Sequence, residues 1–143
     1  MLNSLGRVLQ RTGRYAEAVE HHRQALELQR QTGNPGLEIE ALNGLGEALR
    51  ATGEFDEAWA SHQSALALLG DGTEPRERAR AYDGLGQVCA AHGDQEAARE
   101  LWRQALVLYA DIDAPEADDI RERLSVPSAS RRQPVQDDVG QRA

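Results

Sequence analysis

The spacing of apolar positions along residues 41–69 predicts two helices joined by a tight turn. Leu42, Leu45 and Leu49 are spaced i, i+3 and i+7, which places them on one face of a first helix. Gly53 follows, at the point where a left-handed residue favours the end of a helix. The apolar side of the second helix is formed by Ala58, Ala65, Leu66 and Leu69. Because the connecting turn is short, the two helices must run antiparallel.

This pattern occurs three times, with a period of 40 residues. One glycine inside the first helix recurs as Gly6, Gly46 and Gly86, and the turn glycine recurs as Gly13, Gly53 and Gly93. Pro35, Pro75 and Pro115 keep the same spacing between the units. A glycine inside a helix costs about 1 kcal/mol relative to alanine. Its return at one phase predicts a packing contact that leaves no room for a Cβ atom.

The repeated motifs resemble those of the tetratricopeptide repeat family. They are Leu-Gly in the first helix, Gly-x-Tyr/Phe at the turn (Gly13-Arg14-Tyr15 and Gly53-Glu54-Phe55), and Ala-x6-Ala-Leu in the second helix (Ala18, Ala58 and Ala98 as first alanines). The resemblance covers about residues 1–124. It implies an all-α fold: a right-handed α-solenoid of three helical hairpins plus a C-terminal capping helix.

Two departures from the family pattern change the expectation. The period is 40 residues where the basic repeat has 34, and Gln95 stands where an aromatic residue is expected, which predicts weaker packing at the third turn. The 40-residue variety is similar to C-terminal repeats of actinobacterial regulators and of NB-ARC-type signalling ATPases, and to repeats of kinesin light chains.

The predicted organisation is one repeat domain followed by a tail. Its parts are units at about 1–40, 41–80 and 81–113, a capping helix at 114–124, and a disordered tail at 125–143. Asn34, Thr73 and Asp113 are the predicted N-caps of the helices that start near each proline. The first unit starts almost at its Leu-Gly motif, so the sequence predicts that Leu2, Leu5 and Leu9 are uncovered. This chain is then either part of a longer array or a protein that dimerises through this end.

Composition narrows the classes of function. The formal net charge is −8, and such an acidic surface disfavours direct binding of nucleic acid. The single cysteine, Cys89, cannot form a disulfide within the chain and fits a reducing compartment. No apolar run approaches the ~20 residues of a membrane helix, and the N-terminus lacks a signal-peptide pattern. A cytoplasmic protein is the expectation.

The resemblance places the candidate binding site on the concave face, along the first helix of each unit. The groove positions that it implies are Asn3, Arg7, Gln10, Arg11, Asn43, Glu47, Arg50, Asp83 and Gln87. An asparagine row offers donors and acceptors to the backbone of an extended peptide, and Arg7, Arg11 and Arg50 offer partners to an acidic segment. The alternative is that these positions form ordinary solvated polar faces.

Other patterns that suggest chemistry are better explained by packing. His21, His22 and His62 do not complete the three or four ligands of a zinc site. Gly44-Leu45-Gly46 follows no strand and lacks the third glycine of a dinucleotide loop, and a serine beside His62 has no orienting acid. Trp59 and Trp102 are expected in the core, and Cys89 as a small buried residue. No cofactor, metal or catalytic residue is predicted.

The sequence therefore predicts a non-catalytic protein–protein interaction module that binds a peptide or a partner helix in its groove. The resemblance favours a place in a bacterial transcriptional or signalling regulator. The alternative is a structural repeat fragment that associates with itself through its uncovered N-terminal end. In neither case does the sequence name the partner.

Overall fold

The computed structural model describes residues 2–70 and 74–126, with side chains from Leu5 onward. Over these residues the chain forms seven helices and no strand. They are α1 (Leu2–Arg11), α2 (Tyr15–Thr32), α3 (Pro35–Ala51), α4 (Phe55–Leu68), α5 (Pro75–Ala91), α6 (Gln95–Asp111) and α7 (Glu116–Ser125). The expected all-α repeat solenoid is confirmed.

Each unit is a pair of helices joined by a three-residue turn. Gly53 and Gly93 occupy these turns with φ of 88° and 85°, a conformation that a residue with a Cβ atom rarely adopts. The motif aromatic then begins the second helix, as Phe55 does in α4. Each second helix packs against the first helix of its own unit and against the first helix of the next, so α3 contacts α2 and α4.

The core lies along the faces that the apolar spacing predicts. Leu42, Leu45 and Leu49 are at most 5% exposed, which confirms the predicted helix face. At the N-terminal end the outcome is divided. Leu5 is 42% exposed, as expected, but Leu9 is 5% exposed, so the prediction that it lacks cover was wrong. Leu9 packs inside the first core cluster, whereas Leu5 lies on the outer face of α1.

The helix starts agree with the predicted caps in one case of the two that are described. The Asn34 side chain accepts from the backbone N–H of Leu37 at 3.1 Å, the geometry of an N-cap. Asp113 has a φ of 55° and makes no cap, because α7 begins only at Glu116 with Pro115 before it. Thr73 lies outside the described residues, as do residues 127–143 of the predicted disordered tail.

The seventh helix is the last described element of the stack. It packs on α6, and Ile120 is fully buried in a second core cluster together with Trp102 and Tyr109. The Arg99 guanidinium donates to the carbonyl oxygens of Leu124 at 2.7 Å and Val126 at 3.0 Å, which satisfies orphan acceptors at the helix end. Within residues 2–70 and 74–126, no helix has the length and apolarity to cross a membrane.

Candidate functional site

Three large side chains fill the joints between units, and we call them the seam side chains: His22, His62 and Trp102. They occupy the same phase of the repeat on α2, α4 and α6. A Cβ atom on Gly46 would lie 2.5 Å from the His62 ring, and one on Gly84 would overlap that ring from the other side. The predicted contact without room for a Cβ is confirmed, and its partner is a histidine ring.

The His62 ring is held by a buried hydrogen-bond chain. Asn43 donates its amide N–H to the backbone oxygen and to the carboxylate of Glu77, both at 3.0 Å. Its amide oxygen is then free to accept from His62 Nδ1 at 2.8 Å. Asn43 is 0% exposed. The prediction that it faces a bound peptide was therefore wrong, because its amide is used inside the protein.

The first joint is held in a similar way through Gln10. The Gln10 amide nitrogen, Nε2, donates to Glu47 at 3.3 Å, which leaves the amide oxygen to accept from His22 Nε2 at 2.6 Å. Arg80 donates to both carboxylate oxygens of Glu47, at 2.6 and 2.8 Å. Polar side chains from helices α1, α3 and α5 therefore hold both seam histidines in place.

Electrostatics at these joints follow from burial and pairing. Burial alone raises the pKa of Glu47, but the Arg80 guanidinium outweighs it and lowers that pKa to about 2. Burial disfavours the charged imidazolium, so the pKa of His22 and that of His62 are each lowered to about 4. At neutral pH both seam histidines are uncharged, and Glu47 and Arg80 form a partly buried ion pair.

A cavity of about 290 Å³ lies along α1, α3 and α5, and we call it the groove. Six of the nine predicted groove residues line it: Gln10, Arg11, Glu47, Arg50, Asp83 and Gln87. Three do not. Arg7 is an exposed residue that pairs with Glu40 at 3.8 Å, Asn43 is buried, and the side chain of Asn3 lies outside the described residues.

The acidic groups of the groove are already paired. Arg123 reaches from α7 and donates to Asp83 at 2.6 Å. With its amide oxygen turned toward α7, Gln87 also accepts from Arg123 at 3.2 Å. Burial raises the pKa of Asp83, and Arg123 opposes this shift. Glu47 and Asp83 therefore act as structural partners of Arg80 and Arg123, and neither presents a free negative charge to the groove.

The basic groups of the groove are not paired. Over residues 5–70 and 74–126, neither Arg11 nor Arg50 has an acidic side chain within ion-pairing distance. Arg11 is exposed and Arg50 is half-buried at the cavity wall. The groove thus presents two arginines that have no ion-pair partner among the described side chains, on a chain whose net charge is −8.

Sequence reasoning missed three residues that shape this site. Tyr15 begins α2 and lines the groove, and its motif position signalled a turn residue only. Arg80 and Arg123 neutralise the groove acids from neighbouring helices. The spacing of 40 residues between Asp83 and Arg123 was an available signal, since residues at the same position of consecutive repeats lie close together.

The other candidates fall into packing roles. His22, His62 and Trp102 are buried, as the packing interpretation predicted, and Trp59 is partly buried against the first core cluster. Cys89 is half-buried, less than expected, and burial raises the pKa of its thiol. Among the residues that the structure describes, no three His, Cys, Asp or Glu side chains are placed to hold a metal ion.

Comparisons with known proteins agree with this geometry. The tetratricopeptide repeat family model matches residues 1–71 and 38–111. No curated protein sequence matches the chain. The TPR domain of Arabidopsis FLU is 25% identical, with a TM-score of 0.67 over 74% of this chain and 89% of its own.

Two structures of TPR-like repeats from a putative kinesin light chain of Podosopora anserina, one of them a point variant, are also similar. Each is 22% identical over 95% of this chain and 67% of its own, with TM-scores of 0.72 and 0.74. At that identity they show the fold alone. The family model covers well over half of the chain, so the chain belongs to the tetratricopeptide repeat family.

Proposed function

We propose that the groove binds a carboxylate-bearing segment of a protein partner through Arg11 and Arg50. The observation that carries this proposal is the pairing pattern. The groove acids Glu47 and Asp83 are each neutralised by an arginine from a neighbouring helix, whereas Arg11 and Arg50 have no acidic partner among the described side chains. Guanidinium groups bind carboxylates with charge-assisted, often bidentate hydrogen bonds.

Family membership supports a binding role. Repeats of this family are in general protein–protein interaction modules on a scaffold that is generally non-catalytic. The shape of the groove supports it as well, since a cavity that runs across three neighbouring helices suits an extended segment. Tyr15 adds an aromatic ring with a hydroxyl group to the wall of this site.

The test uses a fluorescein-labelled, acetylated tetra-aspartate peptide and measures its affinity by anisotropy. Arg50→Glu and Arg11→Glu should each weaken binding by roughly fivefold, from the ~1 kcal/mol of a partly exposed ion pair. Arg103→Glu makes the same charge change at an exposed site on α6 and serves as the control. Equal losses in all three variants would show that only net charge matters, and would overturn the proposal.

The regulatory context is a further part of the proposal. The resemblance of the 40-residue repeat to those of bacterial regulators supports a role as the partner-binding part of a transcriptional or signalling regulator in the cytoplasm. In that arrangement DNA contact belongs to another domain, because this chain is acidic. Binding of this chain to duplex DNA at physiological salt, with affinity comparable to its peptide affinity, would contradict this role.

A second candidate function is self-association through the outer face of α1. Leu5 and Val8 are 42% and 46% exposed. Leu45 and Leu85 occupy the equivalent position in the next two units, and they are 5% and 1% exposed. They are covered because the second helix of the preceding unit packs on α3 and on α5. The same face of α1 is therefore suited to a helix from another copy of the chain.

Sedimentation of charged variants tests this second candidate. Leu5→Glu should shift an oligomer to monomer, because a carboxylate placed in an apolar helix contact stays unpaired. Val107→Glu, at a valine that is 68% exposed on α6, is the matched control. A wild-type chain that sediments as a monomer at every concentration would remove this candidate.

A further inference from the structure

The chain leaves α7 beside the groove. Arg123, in the last turn of α7, bonds to the groove residue Asp83 at 2.6 Å. Val126 donates its backbone N–H to the Arg123 oxygen at 3.4 Å and lines the same surface cavity as Arg123. Arg99 holds the Val126 carbonyl oxygen at 3.0 Å. Val126, the last described residue, therefore lies near Arg123, whose side chain contacts the α5 side of the groove.

Along residues 127–143 the sequence order of basic and acidic residues is opposite in sign to the order of charged groups from Val126 into the groove. Asp119 and Glu122 line the cavity beside Val126, and the first charged residues of the segment are Arg131 and Arg132. The only acidic residues of the segment are Asp137 and Asp138. The guanidinium groups of Arg50 and Arg11, which have no acidic partner among the described side chains, lie farther along, on α3 and α1.

The distances permit this register. Asp137 is eleven residues after Val126, and an extended chain spans up to roughly 3.3 Å per residue, or about 36 Å in all. Neighbouring packed helices are about 8–10 Å apart, so α1 is roughly 20 Å from α5. The acidic pair can therefore reach both arginines without a fully extended connection.

We propose that residues 127–143 bind back into the groove of their own chain, with Asp137 and Asp138 on Arg50 and Arg11. Arg131 and Arg132 then lie beside Asp119 and Glu122. This inference rests on the proposed function of the groove, and it adds an internal competitor for the partner. Because the segment is tethered, its effective concentration at the groove is in the millimolar range, which lets a weak contact compete.

The first experiment observes the arginine side chains of the ¹⁵N-labelled chain of 143 residues by NMR. In Asp137→Asn/Asp138→Asn, the Nε–Hε signals of Arg11 and Arg50 should shift. The control, Asp56→Asn/Asp111→Asn, removes the same charge at exposed sites on α4 and α6 and should leave these signals in place. Unchanged arginine signals in the tail variant overturn the inference.

The second experiment measures affinity for the tetra-aspartate probe. The tail variant should bind the probe roughly two- to tenfold more tightly than wild type, the range for loss of a weak tethered competitor. If the probe binds wild type and tail variant alike and the NMR signals do not move, the groove function stands and this inference fails. If the probe binds neither, the proposed function fails, and the NMR result alone decides the inference.

Dilution separates the two occupants that the segment allows. An intramolecular contact gives arginine shifts that are independent of protein concentration. Shifts that disappear on dilution assign the contact to the tail of a second copy, and would overturn binding within one chain.

Discussion

At the scale of single residues, the seam side chains explain why glycine occurs at two positions in each of α3 and α5 and at one position in α1. The His62 ring lies between Gly46 of its own unit and Gly84 of the next, in space that a Cβ atom would occupy. In the last unit, Trp102 packs on Gly86, and the position equivalent to Gly84 is Leu124 of α7, which packs in the second core cluster. The seam side chain therefore changes from histidine to tryptophan in the same unit in which the equivalent facing position changes from glycine to leucine.

Gly46→Ala should lower the free energy of unfolding although alanine is the better helix former. Helix propensity favours the substitution by about 1 kcal/mol, but the added methyl group would meet the His62 ring, and overpacking of this kind costs about 1–3 kcal/mol. Urea unfolding measures the balance. Gly36→Ala is the matched control on the same helix, since its Cβ would be 3.6 Å from the nearest atom; it should stabilise the protein. A stabilising Gly46→Ala would show that the ring moves freely.

The two buried histidines predict loss of stability in mild acid. Each has a folded-state pKa of about 4, below the unfolded value of 6.5. The unfolded chain therefore binds protons first, and the stabilisation present above pH 6.5 is lost as pH falls toward 4. The loss is on the order of 3 kcal/mol per histidine. Because the pKa of Glu47 is about 2, its carboxylate becomes protonated only at a pH below this range.

Unfolding free energy measured by urea between pH 7 and pH 4.5 checks this prediction. His62→Gln should flatten the slope, because glutamine does not titrate in this range. A wild-type stability that stays constant over this range would contradict the burial of neutral histidines.

At the scale of elements, the two ends of the solenoid differ. The helix α1 has 10 residues, against 17 in α3 and in α5, and it leaves apolar residues exposed on its outer face. At the other end α7 covers α6 and buries Ile120 fully. Arg123 of α7 also contacts the Trp102 ring, 5.3 Å from its centroid. The helix α7 therefore covers α6, and its Arg123 also contacts the groove residue Asp83.

Arg123→Ala should destabilise the protein by about 1–3 kcal/mol, because it leaves the half-buried Asp83 without its partner and removes a cation–π contact. Arg121→Ala removes an exposed ion pair with Asp118 on the same helix and should cost less than about 1 kcal/mol. Thermal and urea unfolding of both variants provide the comparison. Equal effects would mean that Arg123 contributes no more than a surface ion pair.

At the scale of the whole molecule, stability is expected to vary along the solenoid, because each element contacts only its near neighbours. The helix α3 has contacts with α1, α2, α4 and α5, whereas α7 has its main contact with α6. The polar contacts of Glu47 with Arg80 and Gln10 also join the central units to the first helix. Local opening of the central helices therefore breaks more contacts than local opening at either end of the described stack.

Hydrogen exchange followed by mass spectrometry should show this gradient. Peptides from α3 and α5 should exchange slowest, and those from α1 and α7 fastest, since terminal elements open without breaking contacts on both sides. Uniform protection over all seven helices would show that the solenoid opens only as one unit.

The sequence by itself determined the hairpins, their register and the close contacts at the glycines. Helical periodicity and the positions of turn glycines are local signals, and both recur at the same positions in three repeats. The sequence could not separate Asn43 from Arg50, since both lie on the first helix of one unit among the predicted groove positions. Tertiary structure made that separation. Asn43 is enclosed because α4 and α5 supply His62 and Glu77, and Glu47 and Asp83 are neutralised by arginines 33 and 40 residues away. Which charges remain free for a partner depends on how separate helices meet, and no local pattern records that.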